Sequence, residues 1–267
     1  MGDLRTSDSR VAAESTVGAF ILRCLGTLFR RRPHGLHSLP PATLPLIVEH
    51  LQLTQICTKL KHIIMEVVNR DQWIVIGISG VTCGGKTTLA NKLAQTLTPV
   101  YMFNQDTYFY PDDSPHHVRV EGMEHNNYDI LSSLDMKSMY ADMLATMRGE
   151  DKAHYSSTER GVRLAAEGKK FLIAEGFTVL NYKPILDLCD LKYYFVLEFG
   201  ECFARRSLRL YDPPDIPGYF EQCVWPEHLK YRAEIELNPS ICLLDGKVPD
   251  PIRIVLADLQ RFGVPPS

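Results

Sequence analysis

Trp73-Ile74-Val75-Ile76-Gly77-Ile78-Ser79-Gly80-Val81-Thr82-Cys83-Gly84-Gly85-Lys86-Thr87-Thr88-Leu89-Ala90 is the stretch whose reading decides the fold. Its first six residues are apolar on both parities and mostly β-branched, the pattern of a strand covered on both faces. Residues 80–87 satisfy G-x-x-x-x-G-K-[ST], and the residues that follow read as a helix, so strand, glycine loop and helix come in the order a phosphate-binding loop needs. Gly80, Gly84 and Gly85 allow backbone N–H groups to turn inward around phosphate oxygens, and the helix N-terminus adds a favourable dipole. Lys86 would reach the β and γ phosphates and the Thr87 hydroxyl would ligate Mg²⁺. Cys83 lies inside the loop, where amide dipoles and Lys86 would lower a thiol pKa.

Working outward, short apolar runs recur at Val100 to Phe103, Phe171 to Ala174, Lys192 to Leu197 and Ile241 to Leu244. Helix-like stretches alternate with them at Lys86 to Leu97, Leu134 to Arg148, Glu201 to Tyr211, Glu227 to Leu237 and Ile252 to Phe262. That alternation predicts one α/β domain over residues 71–267, with a central parallel five-stranded sheet and helices on both faces.

A phosphate loop alone does not name the phosphoryl acceptor, so the other strand ends matter. Asp106 follows the second strand, at the C-terminal sheet edge where open α/β sheets bind ligands, and it can orient an attacking hydroxyl and take its proton. Glu175 ends the third strand at the same edge and fits a carboxylate holding Mg²⁺. The stretch Glu201 to Tyr211 carries Arg205, Arg206 and Arg209, and Asp212-Pro213-Pro214-Asp215 cannot continue a helix. This reads as a helical lid, with Arg205 and Arg209 on one face to clamp phosphate charge.

The remaining 70 residues at the head differ in character. They hold 9 Lys+Arg against 5 Asp+Glu, leaving 20 and 27 for the rest of the chain. An apolar stretch at 17–22 is broken by Arg23 and is far shorter than the roughly 20 residues a bilayer crossing needs, so no stable membrane insertion is expected. Residues 1–70 read as a partly disordered extension with an amphipathic helix over about 44–68, built on Leu53, Ile56, Leu60, Ile63, Ile64 and Val67. The overall charge of −3 argues against a protein built to hold nucleic acid. Seven scattered cysteines without a Cys-x-x-Cys pair fit a reducing compartment. The location expected is cytoplasmic, with mitochondrial targeting by the extension as the alternative; the oligomeric state is left open.

Gly80 to Thr88, Gln105-Asp106, Tyr128-Asp129, Asn181-Tyr182-Lys183-Pro184, Glu175-Gly176 and Tyr211 to Trp225 together make the chain resemble the nicotinamide riboside kinases, within the uridine kinase-like P-loop kinases, from about Trp73 to Phe262. The resemblance implies ATP-dependent phosphorylation of a small-molecule nucleoside, nicotinamide riboside and also nicotinic acid riboside, at the 5′-hydroxyl; a uridine/cytidine-type kinase and a non-catalytic nucleotide-binding regulator are the alternatives. It makes Asp106 and Lys86 the catalytic pair. It assigns Gly80, Gly84, Gly85, Lys86, Thr87, Thr88, Arg205 and Arg209 to ATP, and Thr87 and Glu175 to Mg²⁺. Asp106, Phe109, Tyr128, Asp129, Arg206 and Tyr211 would surround the nucleoside, with Tyr128 and Tyr211 against the nicotinamide ring. A flat cation between two tyrosine faces gains a cation–π term of about 0.5–2 kcal/mol that a neutral uracil lacks. The chain departs from the family at Thr107, where a second Asp is usual, at Phe203-Ala204, and over Tyr110 to Asn127, whose His116, His117 and His125 read as loop residues.

Overall fold

Strand β1 (Trp73–Gly80) is buried at all eight positions, as its unbroken apolar run requires. Its alternate side chains enter two different cores: Ile74, Ile76 and Ile78 on one face of the sheet, Trp73 and Val75 on the other. Each fully buried Ile contributes about 1.5–3 kcal/mol of transfer free energy. The computed structural model describes residues 68–150 and 163–266. The expected helix over 44–68 lies outside the described residues apart from Val68, and the extension over 1–70 that contains it lies outside them apart from residues 68–70.

β1 is the middle of a five-stranded sheet ordered β2 (Val100–Asn104), β5 (Lys170–Glu175), β1, β6 (Leu191–Val196), β7 (Cys242–Asp245). All four pairings are parallel. A short antiparallel ladder, β3 (Val118–Arg119) with β4 (Asn126–Asn127), stands apart. Helix α1 (Lys86–Thr96) presents Leu89, Ala90, Leu93 and Ala94 to the face carrying Ile76, and α6 (Ile252–Leu259) adds Val255, Leu256 and Leu259 there. The opposite face is covered by α2 (Met136–Met147), α3 (Lys183–Leu188) and α5 (Trp225–Ile235), through residues including Met139, Met143, Ile185 and Ile235. The expected α/β sheet with helices on both faces is therefore what the chain forms.

The lid helix is shorter than its sequence pattern suggests. α4 spans Phe199–Arg206 and stops before Arg209. The reason lies in the next residues: Leu208 and Leu210 are 87% and 102% exposed, so a further turn would bury no apolar surface to offset its ordering cost. A third core of Val81, Leu197, Cys202, Tyr219, Phe220, Cys223 and Val224 ties the base of this arm to the loop after β1.

Candidate active site

The C-terminal ends of β1, β2 and β5 meet at one sheet edge, and a cleft of about 340 Å³ opens there. Gly80 turns the chain out of β1 at φ 120°, and a Cβ at that position would collide with the Phe195 backbone, so only glycine lets β6 pass this close. Gly85, at φ 103°, leads into α1, and Cys83 sits between the two glycine turns in the left-handed region at φ 57°. The Lys86 Nζ donates to Val81 O at 2.9 Å, folding the lysine back across its own loop. Burial lowers its pKa, while Glu175 and Asp106 draw it back up. Thr88 is exposed and does not line the cleft.

Glu175 is 2% exposed at the end of β5, and the Thr87 hydroxyl lies 3.3 Å from each of its oxygens. Desolvation pushes the Glu175 pKa up to about 7, against the pull of Lys86. A hydroxyl and a two-oxygen carboxylate at the foot of an anion cradle form a hard oxygen donor set, which fits Mg²⁺.

Asp106 opens onto the cleft from the single turn Gln105–Tyr108 that follows β2. Its amide donates to the Asn104 side chain at 2.8 Å, a local cap that fixes the turn. Crowding by the cleft walls raises its pKa, and Lys86 and then Arg209 moderate the shift. Its neighbour Gln105 is fully buried, donating to Thr178 Oγ1 at 2.9 Å and accepting the Thr178 amide at 3.1 Å. Gly176 is required beneath it, since a Cβ there would overlap the Gln105 side chain. Gln105 thereby pins the Asp106 turn to the loop that follows Glu175. Thr107 bonds its hydroxyl back to Asn104 O at 2.8 Å and is not part of the cleft wall.

Phe109, Tyr128, Asp129, Arg206, Arg209 and Tyr211 all line the same cleft. Phe109 stacks on Phe177 at 6.0 Å and meets Tyr128 edge-on at 6.1 Å. The Tyr128 hydroxyl donates to Asp112 at 3.0 Å, and His117 and His125 flank its ring. Arg206 is not a free ligand-binding cation: it holds Asp215 through two bonds of 2.6 and 2.9 Å, reaches Thr82 Oγ1 at 3.2 Å, and lies 4.2 Å over the Tyr211 ring. One face of Tyr211 is thus already occupied by a guanidinium, so the expected pair of ring faces is reduced on that side.

The expected Arg205–Arg209 clamp does not form either. Arg205 lies outside the cleft wall, donating to Cys83 O at 3.3 Å, Gly246 O at 3.1 Å and Glu201 at 2.6 Å, so it braces the phosphate loop from behind. Because α4 ends at Arg206, Arg209 is carried on a turn instead and approaches Cys83 Sγ at 3.8 Å. Burial alone would raise the Cys83 pKa, but hydrogen bonds with Tyr211, Arg209 and Thr82 outweigh it and hold the thiol below its ordinary value. The shift is in the expected direction, caused chiefly by the lid.

The sequence assigns no role to four residues of this region, although three of them stand in stretches that carry the resemblance. They are Gln105, Asp215, Tyr219 and His228, whose half-buried ring stacks on Tyr194 beside a small cavity behind Thr82 and Asp129. Gln105, Tyr219 and His228 are each defined by a partner far away in sequence, and Asp215 by Arg206 nine residues before it.

Comparison with known proteins decides the family. Nicotinamide riboside kinase 1 of Rattus norvegicus is 38% identical over 173 residues, covering 64% of this chain and 85% of that protein. The chain belongs to the nicotinamide riboside kinase family. Nicotinamide riboside kinase 2 of Homo sapiens is 37% identical over 194 residues, covering 70% of this chain and 81% of that protein. A uridine kinase of Shewanella frigidimarina is more distant, 28% identical over 153 residues, covering 53% of this chain and 71% of that one. No family model matches the chain. Among the described residues no helix is long and apolar enough to cross a membrane.

Proposed function

We propose that this protein transfers the γ-phosphoryl group of ATP to the 5′-hydroxyl of nicotinamide riboside, giving nicotinamide mononucleotide and ADP. The observation that carries this reading is the convergence, in one cleft, of a phosphate loop, the carboxylate of Asp106 and the aromatic, acidic wall of Tyr128, Asp129 and Tyr211. The cleft holds Asp106, Asp112, Asp129, Glu175, Asp212 and Asp215 against Lys86, Arg206 and Arg209, and the acids still outnumber the bases with the Glu175 pKa pushed up to about 7 and Asp215 paired to Arg206. That excess favours a cationic nucleoside over a neutral one, since unlike charges attract more strongly within a partly dry cleft.

In this reading the loop amides and Lys86 hold the β and γ phosphates, and Asp106 aligns the 5′-hydroxyl and accepts its proton. Desolvation raises the pKa of Asp106 and Lys86 offsets part of that rise, which makes its carboxylate a better base than a solvated Asp. Thr87 and Glu175 would hold Mg²⁺, which when bound would supply charge neutralisation on the transferring phosphate. Arg209 reaches the same phosphates from the lid, and Arg206 acts at one remove by fixing Tyr211. Tyr211, whose ring carries Arg206 at 4.2 Å and Arg209 at 5.6 Å, bounds the pyridinium on one wall, and Tyr128 supports the ring from the other. The dispersed cysteines support a cytoplasmic setting, and residues 1–70 are read as an appendage to a catalytic domain over 71–267.

The test is product analysis with Mg-ATP and nicotinamide riboside. One ADP should form per mononucleotide, and Asp106→Ala should lower kcat by about 100-fold or more while nucleotide binding persists. Riboside-independent ADP release, or an Asp106→Ala protein as active as wild type, would reject the proposal.

A further inference from the structure

Tyr219 lies outside the phosphate loop, the strand-end carboxylates and the arginine lid. It is 1% exposed, and its ring is packed in the core that also holds Val81, Cys202, Phe220, Cys223 and Val224. From that fixed ring the hydroxyl accepts the Tyr128 amide N–H at 3.1 Å and donates to Asp129 Oδ2 at 3.0 Å. The two bonds use the hydroxyl in opposite senses, so its proton is committed to Asp129 and a lone pair to Tyr128. The ring of His125 packs on Tyr219 at 4.5 Å, and His125 Nε2 lies 3.3 Å from Pro214 O. The segment 125–129 and the arm 214–219 are therefore joined at two points.

Asp129 needs this support. Desolvation raises its pKa, and Arg206 and the Tyr219 hydroxyl are what favour its charged form. Without the hydroxyl, Asp129 loses a donor and the Tyr128 amide loses its acceptor in a site partly closed to water, both of which carry a desolvation cost.

We infer that Tyr219 is a positioning residue for nucleoside recognition: its hydroxyl sets where Tyr128 and Asp129 stand in the cleft, and so sets affinity for the nucleoside without entering the phosphoryl transfer. This rests on the kinase reading above. Because the hydroxyl acts on the nucleoside wall and not on the loop that holds phosphate, its effect falls on one substrate only.

Tyr219→Phe keeps the ring and deletes the hydroxyl. The KM for nicotinamide riboside should rise about tenfold, the scale of losing one hydrogen bond to a charged group. kcat and the KM for ATP should stay within about twofold. In an Asp129→Asn background the same substitution should change the riboside KM by less than about threefold, since the charged acceptor is gone. An unchanged riboside KM in Tyr219→Phe, equal effects on both substrates, full additivity with Asp129→Asn, or a chain that fails to fold would each overturn the inference. Wild-type protein inactive on the riboside would overturn it together with the proposed function, whereas active wild type matched by Tyr219→Phe would overturn it alone.

Discussion

Asp215→Asn, a near-isosteric change outside the phosphate loop, should destabilise the protein in the absence of any ligand. Arg206 has a side chain 8% exposed and spends two of its donors on Asp215, at 2.6 and 2.9 Å. Thr82 Oγ1, at 3.2 Å, is a neutral acceptor that cannot replace the carboxylate, and Asp129, which also attracts the guanidinium, compensates it only in part. Removing one partner of a buried pair costs about 3–5 kcal/mol, because the remaining charge is left uncompensated. The Asp215 side chain is 28% exposed, so water screens part of this and the expected loss is about 2 kcal/mol. That is about a 30-fold shift in the folding equilibrium, or about 4–8 °C in Tm for a domain of this size. The assay is denaturant unfolding of wild type, Asp215→Asn, Arg206→Met and the double variant. The double variant should lose less than the sum of the singles, with a coupling of about 1.5 kcal/mol, because it leaves no orphaned charge. A single-variant loss below about 0.5 kcal/mol, or a coupling indistinguishable from zero, would refute the assignment of Arg206 to a structural pair and return it to the ligand.

Three further outcomes follow from other parts of the site. The pKa of His228 is lowered from 6.5 to about 4, by burial first and then by Lys86 and Arg232. Between those values the unfolded chain binds a proton that the folded protein resists, so the stability His228 contributes should fall as pH drops from 6.5 toward 4, by up to about 3 kcal/mol. Glu175, with its pKa pushed up to about 7, acts in the opposite sense over the same range. The check is therefore the difference between wild type and His228→Asn in unfolding curves taken at successive pH values, which should shrink as pH falls. Gly176→Ala would drive a Cβ into Gln105, the residue that fixes the Asp106 turn. It should reduce kcat by at least about tenfold and destabilise by about 1–3 kcal/mol, checked by kinetics and calorimetry together. Tyr211→Phe, which keeps the ring face but drops the 3.2 Å contact with Thr82, should leave the riboside KM within about threefold, whereas Tyr211→Ala should raise it about tenfold or more.

The strands, the phosphate loop and the two strand-end carboxylates were legible because each is a local pattern. β1 announces itself through the apolar, β-branched run from Trp73 to Ile78, and Gly80 to Thr87 through fixed spacing. Asp106 and Glu175 needed only their place after a strand. What escaped is held by pairing across the chain: Gln105 with Thr178, Tyr219 with Asp129, and Tyr194 with His228. No periodicity marks such contacts, because each depends on tertiary placement rather than on neighbours in sequence. The end of the lid helix was misread for a related reason. The spacing of Arg205 and Arg209 suits a helix, but Leu208 and Leu210 have no core to enter. α3 is only six residues long, and the ladder of Val118–Arg119 with Asn126–Asn127 has two residues per strand, both too short for hydrophobic periodicity to register.

The most direct test of nicotinamide riboside as the acceptor is the ratio of kcat/KM for nicotinamide riboside to that for uridine, measured with saturating Mg-ATP. Both nucleosides offer the same ribose hydroxyl, so the ratio isolates what the base contributes at the transition state. A cation–π term of about 0.5–2 kcal/mol, carried chiefly by Tyr128 because Arg206 and Arg209 already lie over Tyr211, added to the attraction of the cleft's excess carboxylates, predicts at least about tenfold preference for the riboside. Equal turnover, or a preference for uridine, would contradict the account while leaving the phosphate loop and Asp106 in their roles.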